Sequence, residues 1–195
     1  MTTSVGLNAR VSAICLLVGA VLLHVLNQLH AQLVPIRIVT ILILVMGVWT
    51  FCDEMGLRKP LNRAGLIVFL VSVMALGVTI LEPMNKNIGQ YYLLYSFTML
   101  FAILIWSMAF MHRKQEIKTI GKIGGLAAAV PIVALIIGHL SVAVGAFIGV
   151  DSLLSMSIGH EILRSVPVKA IEATFILWSC ATAFMLWSGR LTQNP

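Results

Sequence analysis

The sequence predicts an all-α fold: a polytopic membrane helical bundle with six transmembrane helices. Hydrophobic residues make up 59% of the 195 residues and charged residues only 10%, whereas soluble domains carry about 25% charge. The mean hydropathy is +1.01, and a chain of this length needs a polar shell to be soluble in water. Six apolar stretches approach the roughly 20 residues that cross a bilayer core. We therefore expect one domain over residues 1–195, because no flexible linker divides the chain.

The first two stretches predict an antiparallel pair of helices. The first covers residues 11–32 and the second covers residues 36–51. Only the turn at residues 33–35 separates them. Because so short a connection joins neighbours in a helical bundle, these two helices are expected to pack side by side.

Charged residues and proline bound the third and fourth stretches. The charged segment 53–63 precedes the third stretch, 64–81. Glu82 and Pro83 follow it, and the fourth stretch then covers residues 91–111. Charges are costly in lipid and proline disrupts helix interiors, so both features favour helix ends at the membrane surface.

The last two stretches differ from the others in their internal proline and in the loop between them. The fifth covers residues 125–147 and contains Pro131, which is expected to bend the helix. The sixth covers residues 170–187. In the loop between them, apolar residues at four-residue spacing predict an amphipathic interfacial helix at about 151–166. This helix would be either a lid over a site or a passive connector.

The distribution of lysine and arginine predicts that both termini lie in the cytoplasm, with the protein in a bacterial inner membrane. If the amino terminus is inside, nine basic residues are inside and four are outside, which agrees with the positive-inside rule. The inner ones are Arg10, Arg58, Lys59, Arg63, Arg113, Lys114, Lys118, Lys122 and Arg190, and the outer ones are Arg37, Lys86, Arg164 and Lys169. The net charge of +6 indicates contact with the lipid bilayer. Nucleic acid is not an expected partner, because no basic patch contains interleaved aromatic residues.

Polar side chains inside the predicted spans are functional candidates, because lipid disfavours them. They concentrate in the outer half of the bundle, on four different spans. The helical rise places His24 and His139 at a similar depth, about 20 Å above the inner edge. The candidate ligand-binding residues are His24, Asn27, Gln28, Tyr91, Tyr95, His139 and Glu172. The simpler alternative is that each of them makes an interhelical hydrogen bond, with the tyrosines as interface anchors.

These residues predict that the protein binds or transports a small solute, an ion or a lipid. One alternative is a non-catalytic subunit of a larger membrane complex. A second is an electron-transfer membrane subunit with haem b, in which His24 and His139 are the axial ligands. The same two histidines are the candidate metal ligands.

An enzyme is the least favoured class, since the sequence contains no HExxH, GxSxG or P-loop motif. At 195 residues, we expect the chain to act as a homo-oligomer or together with other membrane subunits.

Overall fold

The computed structural model describes residues 6–28, 33–56, 59–81, 88–113, 115–148 and 168–191. These ranges contain six helices: α1 (Leu7–Gln28), α2 (Val34–Met55), α3 (Pro60–Leu81), α4 (Ile88–Met111), α5 (Gln115–Ile148) and α6 (Val168–Trp187). The described part of the chain is therefore all-helical, as predicted. The predicted interfacial helix at 151–166 lies outside the described residues.

Five of the six helices are long and apolar enough to cross a membrane. The apolar part of the last helix, Ile171–Trp187, is shorter than the others. The lengths and compositions of α1 to α5 thus support the predicted multi-pass membrane bundle, whereas the apolar segment of α6 within the described residues is shorter. The cytoplasmic position of the termini stays a prediction.

Several helices begin earlier than the apolar pattern predicted. The helix α5 starts at Gln115 instead of residue 125, and it continues without interruption through Pro131. Lysine can belong to such a helix because its aliphatic stem lies along apolar surface while its ammonium group reaches water. The helix α3 starts at Pro60 instead of residue 64, since proline is well tolerated in the first turn. For the same reason α2 already begins at Val34, with a proline in its first turn.

The helices form a closed antiparallel ring in chain order. Each helix packs against the next, α6 packs against α1 to close the ring, and α4 also contacts α6 across the interior. Two hydrogen bonds illustrate the register. Ser12 Oγ donates to the Gly47 carbonyl at 2.8 Å, and Ser72 Oγ donates to the Tyr95 carbonyl at 3.1 Å. We call the end at which α1 begins and α6 ends the terminal end, and the opposite end the far end.

Aromatic rings fill the interior between the middle of the bundle and the terminal end. The rings of Trp106 and Trp178 stack with centroids 5.0 Å apart. Phe51 meets both rings edge-on, with centroid distances of 5.5 Å and 5.6 Å. These are favourable aromatic geometries, and all three side chains are buried. The aromatic core thus closes the bundle interior toward its terminal end.

Polar side chains that are wholly or partly buried also hold the terminal end together. The Arg113 guanidinium donates to the carbonyls of Leu191 at 2.8 Å and Met55 at 3.2 Å. Asn62 Nδ2 donates to the carbonyls of Met55 at 2.9 Å and Gly56 at 3.1 Å. Burial lowers the pKa of Arg113, but a guanidinium keeps its proton in proteins. The Met55 and Gly56 carbonyls at the end of α2 therefore accept hydrogen bonds from the side chains of Arg113 and Asn62.

Candidate functional site

An imidazole and a carboxylate meet where the first and last helices pack together. His24 on α1 lies 3.1 Å from Glu172 on α6, measured from Nδ1 to Oε2. The Glu172 side chain is only 7% exposed, and that of His24 is 35% exposed. The two residues are 148 positions apart in the sequence. Their pairing therefore joins the two helices that close the ring, at its far end.

Helical periodicity explains why these two side chains differ in burial. On α1, Leu16, Ala20 and Leu23 form a buried stripe, and His24 lies at its edge, one position after Leu23. On α6, Glu172 belongs to the buried stripe itself, which continues through Ser179. The carboxylate therefore points into the bundle, and the imidazole covers it from the boundary.

A tyrosine from a third helix completes this group. Tyr95 on α4 is buried and interacts electrostatically with Glu172. Tyr92, one turn earlier, packs edge-on against Tyr95 with ring centroids 6.4 Å apart. We call His24, Glu172, Tyr95 and Tyr92 the far-end polar cluster. It lies where α6 packs against α1 and α4.

The cluster has one ionisable pair in a largely apolar surrounding. A carboxylate inside a membrane bundle is costly unless a positive charge or hydrogen-bond donors accompany it. In the tautomer that carries its proton on Nδ1, His24 donates to Glu172, and a second proton on the ring makes the pair an ion pair. This arrangement can hold or release a proton, and it offers a buried carboxylate to a cation.

The structure brings together three of the seven predicted site residues, namely His24, Tyr95 and Glu172. Tyr91 lies one turn before Tyr95 and is half-buried. The side chains of Asn27 and Gln28 lie outside the part of the chain that the structure describes.

His139 occupies a separate position on α5. Its ring is exposed, its Nδ1 lies 2.8 Å from the Leu135 carbonyl of its own helix, and its centroid is 6.2 Å from the ring of Phe97. The helices that carry His24 and His139 share no extensive interface in the described ranges. Haem b ligation by these two histidines stays a prediction.

A metal ion would need more ligands than the far-end polar cluster offers. Within the described ranges, no three side chains of histidine, cysteine, aspartate or glutamate gather in a way that could hold a metal ion. His24 and Glu172 together supply two such side chains. The candidate metal ligands His24 and His139 therefore stay predictions as well.

Sequence reasoning missed two residues near the far end. Tyr92 was not singled out, although its three-residue spacing from Tyr95 places the two rings on neighbouring positions of one helix surface. Arg37 was counted only as a loop charge. It belongs to the first turns of α2, and its Nη2 donates to the Leu26 carbonyl near the end of α1 at 3.3 Å. The proline in the first turn of α2 is the sequence feature that could have indicated that Arg37 belongs to this helix.

Comparison of the chain with models of known protein families, with curated proteins and with solved structures found no match. The structure provides a buried carboxylate, a partly exposed imidazole and two tyrosine rings at one end of a bundle whose other end is filled. Any function of the cluster therefore rests on this geometry.

Proposed function

We propose that this multi-pass membrane protein binds a small cation at the far-end polar cluster, in exchange for a proton on His24. The observation that carries the proposal is the pairing of His24 Nδ1 with the buried Glu172 Oε2 at 3.1 Å. A buried carboxylate needs a positive partner, and removal of that partner is strongly unfavourable. Histidine is the side chain that ordinarily gains or loses its proton near neutral pH. When the proton leaves, a cation at Glu172 meets the same requirement.

The surroundings of Glu172 support a cation as the ligand. His24 contacts the carboxylate from α1, Tyr95 on α4 interacts electrostatically with it, and Tyr92 packs against Tyr95. The faces of tyrosine rings attract cations. The helix α5 also packs on α6, and its His139 lies beside Phe97 instead. Among these described neighbours of Glu172, the side chain that can carry a positive charge is His24.

A solute can reach Glu172 more easily from the far end of the bundle than from the terminal end. The aromatic core and the Arg113 contacts fill the terminal half, whereas His24 is partly exposed at the far end. A solute that arrives from the far end therefore meets His24 before it meets the carboxylate. Transport across the membrane would need a rearrangement of the aromatic core, so binding is the primary proposal.

The experiment measures the thermal unfolding midpoint of the purified full chain with different cations. Chloride salts of sodium, potassium, ammonium and tetramethylammonium are compared, at equal ionic strength, with the bulky cation N-methylglucamine. We expect at least one small cation to raise the midpoint at about pH 8 and to have less effect at about pH 5.5, because a proton and the cation compete for the same pair. A midpoint that none of the four cations changes at about pH 8 would overturn the proposal.

Matched variants show whether the effect belongs to the site. Glu172→Gln should abolish the cation effect, and His24→Gln should leave a cation effect that no longer depends on pH. Asp53→Asn removes an exposed carboxylate near the terminal end of α2 and should behave as the wild type. Equal cation stabilisation in the wild type and in Glu172→Gln would place the binding elsewhere.

A further inference from the structure

A groove runs along the outside of the bundle between α1 and α6, in its terminal half. It encloses about 290 Å³. Ala13 and Ala183 are buried and form its floor. We call it the α1–α6 groove. It is separate from the far-end polar cluster, so a ligand in the groove is independent of the proposed cation site.

Large apolar side chains form the walls of the α1–α6 groove. Ile14 and Leu17 line it from α1, and Phe184 and Trp187 line it from α6. These four side chains are between 42% and 61% exposed. Small residues beneath and large exposed residues beside them give an apolar groove on the outer surface of the bundle. Its apolar lining suits a flexible hydrocarbon chain.

Two arginines lie over the aromatic walls at the terminal end. The Arg10 guanidinium carbon is 5.8 Å from the ring centroid of Trp187. The Arg190 guanidinium carbon is 5.8 Å from the ring centroid of Phe184. Both arginines are exposed, and both distances are in the range of cation–π contacts. Two positive charges therefore flank one apolar groove.

The end of α6 explains how Arg190 reaches this position. Gly189 has a φ of 70°, a left-handed conformation that glycine adopts at little cost. The chain turns back there, and the Arg190 amide donates to the Met185 carbonyl at 3.0 Å. This is a common way for a helix to end. It returns the Arg190 side chain to the surface of the helix that it has just left.

The distance from Arg10 to Leu17 covers about two thirds of the depth of one bilayer leaflet. Leu17 follows Arg10 by seven residues, which corresponds to about 10 Å along the helix. The hydrocarbon part of one leaflet is about 15 Å thick. A lipid whose headgroup lies beside the arginines would thus lay much of one acyl chain in the groove.

We propose that the α1–α6 groove binds an anionic phospholipid, with an acyl chain in the groove and the phosphate between Arg10 and Arg190. Guanidinium groups bind phosphate through paired charge-assisted hydrogen bonds. Anionic lipids are concentrated in the cytoplasmic leaflet, which is the leaflet at the terminal end under the predicted topology. Zwitterionic lipids fill the same groove with hydrocarbon but carry no net charge for the arginines.

The test uses tryptophan fluorescence, because Trp187 lines the groove. The full chain with Trp49→Phe is reconstituted in vesicles, which leaves Trp187 as the exposed indole, since Trp106 and Trp178 are buried. Phosphatidylglycerol or phosphatidylcholine with brominated acyl chains is then added, because bromine quenches an indole on contact. We expect phosphatidylglycerol to quench at a lower mole fraction, with each arginine contributing about five-fold to the preference.

Two double variants in the same background separate this site from general surface charge. Arg10→Gln with Arg190→Gln should reduce the ratio of the two half-quenching mole fractions to about one. Arg63→Gln with Lys122→Gln removes two other exposed charges and should leave the ratio unchanged. Equal quenching by both lipids in the parent protein would overturn the proposal, as would an equal loss of preference in the two double variants.

A single variant keeps the test valid if the first double variant does not fold. Arg190 makes other contacts within the chain, so its loss has effects beyond the groove. Arg10→Gln alone should lower the preference for phosphatidylglycerol about five-fold. An unchanged preference in this variant would also contradict the site.

Discussion

At the scale of residues, the pair formed by His24 and Glu172 makes each partner dependent on the other. The carboxylate is buried, and the imidazole is the side chain that covers it. Removal of one partner from such a pair leaves the other in an environment that suits it poorly. Removal of either side chain is therefore expected to lower the free energy of unfolding by more than the loss of an ordinary surface hydrogen bond would.

We predict that His24→Ala lowers the free energy of unfolding by about 2 kcal/mol. The partial exposure of His24 keeps the loss below that of a wholly buried pair. Glu172→Gln combined with His24→Ala should cost less than the sum of the single changes, by about 1 kcal/mol, because the two residues contact each other. Reversible unfolding of the purified chain in mixed micelles measures all three values.

The control for this cycle is His112→Ala, which changes an exposed histidine in the turn after α4. It should stay within about 0.5 kcal/mol of the wild type. Strict additivity of His24→Ala and Glu172→Gln would show that the pair seen in the structure makes no energetic contribution.

The sequence could predict part of this site because burial follows helical periodicity. Glu172 and Ser179 are seven residues apart and therefore share one face of the last span, and both are buried. Depth along the helix also placed His24 and His139 at similar heights. Height alone does not say which helices are neighbours, however, and α1 packs against α6 rather than extensively against α5. The partner of His24 therefore could not be deduced before the order of helices around the ring was known.

At the scale of elements, glycines set how closely neighbouring helices approach. A Cβ atom added at Gly47 would lie 2.7 Å from the Leu16 backbone nitrogen on α1. At Gly77 on α3, the same addition would meet nothing within 4 Å. The two positions share the same residue type and an α-helical backbone. They form a matched pair in which only the packing differs.

We predict that Gly47→Ala destabilises the protein by about 1–3 kcal/mol, because α1 and α2 must separate to admit the methyl group. Gly77→Ala should be neutral or stabilising by up to about 1 kcal/mol, since alanine favours the helix. Thermal unfolding of both variants beside the wild type is the measurement. Equal stability of the two variants would contradict the close α1–α2 contact.

Helix ends were the least predictable part of the elements. Hydropathy marks the residues that lie in lipid, whereas the hydrogen-bonded helix continues wherever no residue stops it. On α5 these limits differ, because Lys118 and Lys122 interrupt the apolar pattern but are good helix formers. The result is a helix of 34 residues, longer than the bilayer core requires.

At the scale of the whole molecule, the start of α1 and the end of α6 lie on the same side of the bundle, where Arg10 lies over the ring of Trp187. Arg10 and Arg190 lie near those ends, and Arg63, Arg113 and Lys122 lie at the same end of their helices. These basic residues, whose positions in the sequence predicted the topology, thus lie at one end of the structure. Which compartment this end faces is a separate question.

We predict that the terminal end faces the cytoplasm, because basic residues are retained there. Green fluorescent protein fused after Pro195 should be fluorescent in cells, and alkaline phosphatase fused at the same place should be inactive. The reverse activities are expected when the reporters are fused within residues 82–87, between α3 and α4. Active phosphatase at the carboxyl terminus would reverse the topology, and with it the leaflet assigned to the α1–α6 groove.

The ring closes through the first and last helices, and this has a consequence for biosynthesis. The 148 positions between His24 and Glu172 take roughly 7–30 s to translate. During that interval α1 is already made, and its histidine has no carboxylate to bind. The nascent protein therefore carries an unmet polar group in its first helix until the last one arrives, which makes completion of α6 the step that commits the bundle to its final form.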